Sequence, residues 1–215
     1  MPLQNRVDPC GKIDAVTSRG MFTGNRGVIH DPAARALLKR RWTTKAWIIC
    51  ALHHKDVRRQ VMGRNRAGGG TGWTELFFLD EVTALAAGHR PCFVCRRERA
   101  KLFVSCFADA FRMPMPRMTE IDARLHGERR ASGGTAAPIA RHRLGDLPDG
   151  SVISVDCVPN AIRAGRALRW SFGGYGSGIA LADLPGHDIQ VVTPATTLAV
   201  LSAGYRPAWH DSAAA

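Results

Sequence analysis

The sequence predicts an α+β protein built as two small modules, and three observations carry that expectation. An apolar run, Leu76 to Leu79, leads into a helical pattern that stops at Gly88 and Pro91. A stretch of small residues, Ala131 to Pro138, breaks the chain. Beyond it, residues 141–212 read as short strands between turn signals, closing on one helix. The expected layout is a small α/β module over residues 1–130, then a β-rich module over 140–212 with a C-terminal helix.

Residues 1–30 hold turn signals at Asp8-Pro9, Gly11, Gly20 and Gly24-Asn25-Arg26-Gly27. The last reads either as a backbone nest with Arg26 above it or, preferably, as a glycine turn between short strands. Asp31-Pro32 resembles a cap followed by proline at the first helical position, and predicts a short basic helix over Ala33–Arg41. Ala46–Leu52 and Val57–Met62 read as strands, and Gly63–Gly72 as a loop. After the strand at Leu76–Leu79, Asp80 offers an N-cap, and Val82, Leu85 and Ala86 recur at helical spacing. Gly88 stands at the left-handed C-cap position. Glu98–Phe111 places Leu102, Phe103, Cys106, Phe107, Ala110 and Phe111 on one helical face. Thr119 caps a further helix to Glu128, with Ile121 and Leu125 inward.

In the second module Leu147–Gly150 is a turn and Val152–Val155 a strand. Ile162–Ala164 and Leu168–Phe172 suggest a hairpin turning at Gly165. Gly173–Gly178 reads as a loop, Ile189–Val192 as a strand and Ala195–Ala203 as a helix. The end of that helix, Val200 to Pro207, repeats the pattern of Ala84 to Pro91 at an offset of 116. Ala208 and Asp211 stand where the first copy has Cys92 and Cys95, so the second cannot hold a metal in the same way.

Composition narrows the class. In 215 residues, 45% hydrophobic and 22% charged content predicts a globular chain with a proper core. Met1–Ile13 lacks the apolar core of a signal peptide, and the longest apolar run, Ala46–Leu52, is too short to span a membrane. A cytoplasmic protein is expected, with Cys10, Cys106 and Cys157 as ordinary reduced residues. Charge is uneven: residues 1–130 hold 24 Lys and Arg against 12 Asp and Glu, and the remainder 6 against 6. The net +12 therefore sits entirely in the first module. Between Arg35 and Arg66 there are 10 basic residues and one acid, Asp56. An Arg-rich genome gives a bland source for this bias, but its confinement to one module favours a nucleic-acid partner. The expected contacts are Arg40, Arg41, Lys45, Arg58, Arg59, Arg64, Arg66, Arg96 and Arg97. Trp42 and Trp73 stand among them as stacking candidates, whereas Trp47 alternates with core residues.

The chemistry concentrates at Cys92-Phe93-Val94-Cys95, directly after the stopped helix and before Arg96, Arg97 and Arg99. Two thiolates at this spacing chelate one ion from a tight turn. A thioredoxin-type redox pair instead opens a helix directly after a strand, so half of a zinc site is the favoured reading over a redox pair or two incidental cysteines.

Phe77-Phe78, Ala84–Ala87 and Gly88-x-Arg90-Pro91-Cys92-x-x-Cys95-Arg96 resemble the second half of the metal-binding module of Ada-type DNA-repair proteins. The resemblance covers residues 75–99 and implies zinc, held in that family by four cysteines, one of which accepts a methyl group from DNA phosphate. This chain departs from the pattern upstream: Cys50 ends an apolar run, and Cys50-x-x-x-His54 stands where the family has its first Cys-x-x-x-Cys pair. The resemblance therefore implies Cys50 and His54 as the other ligands, with His53, His30 and His89 competing with His54 for the fourth position. Replacing one thiolate by histidine removes one negative charge, so Cys50 is expected to be a poorer methyl acceptor with a structural role. There is no Gly-x-Ser-x-Gly elbow, His-Glu-x-x-His pair or deaminase His-x-Glu. The reading is zinc-stabilised nucleic-acid binding, with DNA preferred over RNA on the resemblance alone. The alternatives are an enzyme on nucleic acid (a methyl-phosphotriester acceptor through Cys50, or a metal-dependent phosphodiesterase) and an interaction protein with an acidic partner.

Overall fold

The computed structural model describes residues 1–54, 59–66 and 68–214. The architecture is mixed α+β, as the sequence predicts, with two six-stranded sheets and one small hairpin. The first sheet draws on β1 (Arg6–Val7), β2 (Ile13–Asp14), β3 (Phe22–Asn25), β6 (Ile48–Ala51), β7 (Leu76–Phe78) and β8 (Arg90–Pro91), in the order β2-β1-β7-β3-β6-β8. Its β1–β7 and β6–β8 pairs are parallel, the rest antiparallel. The separate hairpin joins β4 (His30–Asp31) to β5 (Ala36–Leu37). The second sheet, fully antiparallel, runs β13-β12-β11-β10-β14-β9. It is built from β9 (Ala137–Pro138), β10 (Val152–Val155), β11 (Val158–Arg163), β12 (Arg166–Ser171), β13 (Gly174–Ala180) and β14 (Ile189–Val191).

Four helices complete the chain: α1 (Glu81–Ala86), α2 (Arg97–Phe111), α3 (Met118–Glu128) and α4 (Ala195–Ser202). The sheets divide the sequence near residue 130, but the cores do not. Val200, Leu201 and Tyr205, from the second half, pack with Phe103, Phe107, Ile121 and Leu125 of the first. In return Leu79, Val82 and Ala86 pack with Val152, Leu168, Trp170 and Tyr175. Helix α1 lies between these cores, and all six of its residues are buried. A helix that short is marginal alone; enclosure on all sides holds it.

Most expected elements occur within a residue or two of their predicted bounds, and the exceptions have physical reasons. Ala33–Arg41 is not a helix but the turn and return strand of a hairpin. Asp31 accepts a hydrogen bond from the amide of Ala33 (2.8 Å), and Arg35 takes a left-handed conformation at φ 49°. An Asp-Pro pair specifies such an Asx turn as readily as a helix cap. Of the strand expected at Val57–Met62, Val57 and Arg58 lie outside the described residues; Val61 and Met62 form a turn. Gly173–Gly178 is not a loop: most of it forms strand β13, which pairs along β12. Cross-strand pairing there overrides the low strand propensity of glycine. Helix α3 starts at Met118, and Glu120 rather than Thr119 secures its entry, accepting from the amide of Arg117 (3.0 Å). Arg26 does not stand above a nest but is fully buried. No helix among the described residues is long and apolar enough to cross a membrane.

The two copies of the Gly-x-Arg-Pro pattern close their helices identically. Gly88 and Tyr205 bracket the comparison: Gly88 N donates to Leu85 O and His89 N to Ala84 O, while Gly204 N donates to Leu201 O and Tyr205 N to Val200 O. The likeness is confined to this cap, since the first copy continues as β8 in a sheet and the second does not.

At the far side of the first sheet, Trp47 is enclosed by two arginines. The Arg26 and Arg129 guanidinium carbons lie 4.0 and 4.4 Å from its ring centroid, and His89 lies 5.1 Å away. Arg26 Nε donates to His89 Nε2 (3.3 Å), which leaves the proton of a neutral ring on Nδ1. Burial, then the charges of Arg26 and Arg129, hold His89 well below the ordinary histidine pKa. The unfolded chain therefore binds this proton first, so stability is complete above about pH 6.5 and falls below it, by up to about 1.4 kcal/mol per pH unit. Urea midpoints measured from pH 7 to 5 are expected to fall, with part of the slope abolished in His89→Gln; an unchanged slope in that variant is the contrary result.

Candidate metal centre and basic face

Strands β6 and β8 bring the three cysteines together. Their parallel pairing sets Ile48 beside Arg90 and Ile49 beside Pro91, and Cys92 N donates to Ile49 O (2.9 Å). Cys50 ends β6 as Cys92 leaves β8, and the turn closes when Arg96 N donates to Cys92 O (3.0 Å). Upstream, Gly88 at φ 80° ends α1 and redirects the chain into β8. Arg90 is locked by two bonds to the Asp122 carboxylate, at 2.9 and 2.8 Å, both side chains buried. The turn is thus held from α1, α2 and α3 before any ion is considered.

The sulfurs of Cys50, Cys92 and Cys95 all lie within 4.8 Å of one another. Zinc–sulfur bonds of about 2.3 Å at tetrahedral angles would set sulfurs roughly 3.8 Å apart, so the spacing admits a metal ion without rearranging the backbone. Two amides already point at sulfur: Ala51 N at Cys95 Sγ and Val94 N at Cys92 Sγ, each at 3.4 Å. Such donors spread thiolate charge and favour the ligating form. Hydrogen bonding from Cys50, then Cys95, pushes the Cys92 thiol down, while bonding to Cys92, then Cys95, pushes Cys50 up. Three thiols therefore share one preferred thiolate, and a cation would complete their deprotonation. Cys92 is buried; Cys50 and Cys95 are half-buried, leaving one side of the cluster toward solvent.

Arg96, next to Cys95, ties the turn to the centre of the molecule. It bonds Glu81 Oε1 at 2.9 Å and covers the ring of Phe22 at 4.3 Å. Glu81 also binds Arg99 (3.3 Å), the Tyr205 hydroxyl (2.6 Å) and the amide of Ala208 (2.9 Å). Its neighbour Asp80 accepts from Thr83 N, the Tyr175 hydroxyl and His210 N. Removing the charge of Glu81 leaves Arg96 buried without a counter-charge. Glu81→Gln is expected to destabilise the chain by about 3 kcal/mol in urea unfolding; a loss well under 1 kcal/mol would contradict the anchoring role.

The other histidines considered stand apart from the sulfurs. His54 is half-buried three residues beyond β6 and His53 is exposed; neither belongs to the cluster. His30 is buried against Thr74 Oγ1 at 2.7 Å, and His89 packs on Trp47. Of the basic residues, Arg40, Arg41, Lys45, Arg64, Arg66 and Arg97 are exposed. Arg58 lies outside the described residues. Arg59 stacks on the half-exposed Trp73 at 3.7 Å and binds Glu75 at 2.7 Å, while Arg96 is committed to Glu81. Backbone bonds tie Leu38, Thr43 and Thr74 to residues 26–29; Trp42 packs edge-on against His126 at 4.5 Å. The pairing of Asp80 and Glu81 with residues 175–210 was not anticipated; the separations exceed 90 residues and no local pattern announces them.

Comparison with protein-family models, with curated proteins and with solved structures found no match for this chain. What the geometry establishes is a three-cysteine cluster able to bind a metal ion. Purified protein is expected to carry about one thiophilic metal ion per chain and Cys92→Ser roughly a tenth of that, read by elemental analysis. Metal-free wild-type protein after purification without chelators is the opposing outcome.

Proposed function

We propose that this protein is a zinc-stabilised nucleic-acid-binding protein of the cytoplasm, with DNA preferred over RNA. The observation that carries the zinc is the convergence of Cys50, Cys92 and Cys95 from two adjacent strands. A thiolate set of this kind suits zinc, and reducing surroundings keep it available. We assign the fourth position to His54, which stands three residues beyond β6 and would have to turn toward the sulfurs to ligate. The ion's role in this reading is structural: it pins the ends of β6 and β8 and the start of α2, from which Arg97 projects.

Nucleic-acid binding is supported by the placement of charge. Five exposed cations, Arg40, Arg41, Lys45, Arg64 and Arg66, and two partly exposed tryptophans, Trp42 and Trp73, lie within one stretch of the half of the chain that carries the whole net +12. Phosphates neutralised by those side chains release condensed counterions, and tryptophan faces stack on bases. The likeness of residues 75–99 to the Ada-type module inclines the choice toward DNA.

With around five phosphate contacts, log K against log salt on duplex DNA is expected to slope by roughly −4 to −5. Fluorescence anisotropy between 50 and 300 mM salt, values chosen for their strong leverage on that slope, reads it directly. Arg40→Gln with Arg41→Gln is expected to flatten the slope by about two. A salt-independent response, or binding unaltered in that double variant, defeats the proposal.

A further inference from the structure

Beside the first sheet, and lined by none of the metal-centre cysteines, the surface opens into a cavity of about 410 Å³. Lys12, Arg41 and Arg130 line it, together with Cys10, Gly11 and Ala131, and no carboxylate does so among the described residues. Arg130 bonds only neutral groups there, Cys10 Sγ at 3.6 Å and Gln190 Oε1 at 2.8 Å. Arg41 bonds the carbonyls of Leu38 and Lys39, and Lys12 alone has an acidic partner, Asp14 at 2.6 Å.

A second charge layer stands behind the wall. Arg26 is fully buried, donates Nη1 to Gly11 O (2.8 Å), and leaves Nη2 without a hydrogen-bond partner. A Cβ at Gly11 would stand 3.5 Å from that Nη2 and 2.7 Å from the Ala131 side chain, so only glycine keeps the wall this thin. Arg129, adjacent in sequence to Arg130, is 1% exposed and also has an unpartnered Nη2. His89 Nδ1, third in the group around Trp47, is unpartnered as well. Among the described residues neither Arg26 nor Arg129 has a carboxylate within ion-pair distance; the nearby Asp8 accepts from the amide of Lys12. Burial, then mutual repulsion, lowers Arg26 to about 9, and burial lowers Arg129 to about 9, so both remain cations at neutral pH.

Arg129 also donates to Gly88 O and Lys45 O, so the two are hydrogen-bonded but carry no paired carboxylate. Buried cations without counter-charges are costly, and two of them behind a cavity lined by three more cations define a strongly positive recess. We propose that this cavity is a binding site for a phosphate ester of about nucleotide size, its phosphoryl oxygens on Arg41, Arg130 and Lys12 with the field of Arg26 and Arg129 behind. A volume of about 410 Å³ exceeds what one phosphate needs and falls in the range of small-ligand pockets. The phosphate comes either from a free nucleotide or from the end of a nucleic-acid strand. The site is separate from the metal centre: none of Cys50, Cys92 and Cys95 lines it. The inference goes beyond the nucleic-acid reading and does not require it.

The test uses the full metal-loaded chain and isothermal titration calorimetry. The probes are inorganic phosphate, adenosine 5′-monophosphate, and one short oligonucleotide with and without a 5′-phosphate. Saturable binding of the monophosphate is expected, weakened about tenfold by Arg130→Gln and about tenfold by Lys12→Gln with Arg41→Gln. If Arg130→Gln does not fold, the exposed double variant carries the test. Preference for the phosphorylated over the unphosphorylated oligonucleotide assigns the phosphate to strand ends; equal binding of the two with retained monophosphate binding assigns it to free nucleotide. Arg166→Gln, on the opposite sheet, is expected to bind as wild type. No detectable monophosphate binding, or equal binding in both sets of variants, overturns the proposal. Salt-sensitive DNA binding that survives Arg130→Gln leaves the nucleic-acid reading intact, so the two fail separately.

Discussion

Two adjacent carboxylates at the start of a six-residue helix organise this protein. Asp80 and Glu81 are both fully buried, and almost every oxygen they present is matched to a donor. Glu81 faces the first core and holds Arg96, Arg99 and Tyr205. Asp80 faces the second and holds Tyr175 and the amide of His210. Burying one carboxylate without partners is unfavourable by several kcal/mol; burying two side by side is tolerable only with this density of donors and counter-charges. That requirement explains why the halves do not separate. Each supplies what the other's acids need.

The cysteine cluster inherits its position from the same arrangement. Arg96 follows Cys95 directly, so the bond that neutralises Glu81 also fixes the turn that carries two of the sulfurs. On its other side the turn is set by the register of β6 and β8. A metal ion arriving there meets ligands already near their final spacing, which reduces the ordering that binding must impose.

What the sequence revealed follows the range of the interactions involved. The cap at Asp80 and the stop at Gly88 are local and appear as expected; the expected face of α2 holds at Phe103, Cys106 and Phe107, but Leu102 is exposed and Ala100 and Val104 are buried instead. Cys50 was reached through the resemblance to the Ada-type module, whose first ligand pair ends a strand, and the pairing of β6 with β8 brings it to Cys92 and Cys95. The Asp31-Pro32 signal misled because two local structures share it, and only the pairing of Asp31 with Ala36 decides between them. The glycine-rich β13 misled because its partner strand supplies what its own composition lacks. The stack of Arg26, Trp47 and Arg129 was invisible: its members span more than 100 positions, and isolated arginines in a basic chain read as surface. Burial alone distinguishes them.

The exchange of packing between the halves also bears on the order of assembly. The cysteines and their supporting strands are all translated by residue 96, yet Val200, Leu201 and Tyr205, which cover α2, come about a hundred residues later. During synthesis at about 5–20 residues per second, the apolar flank of α2 stays uncovered for several seconds or more. An ion bound early by the sulfurs would hold the nascent turn in place through that interval. The delayed arrival of α4 thus makes the nascent chain, rather than the finished protein, the form most exposed to aggregation and the one a bound ion would help most.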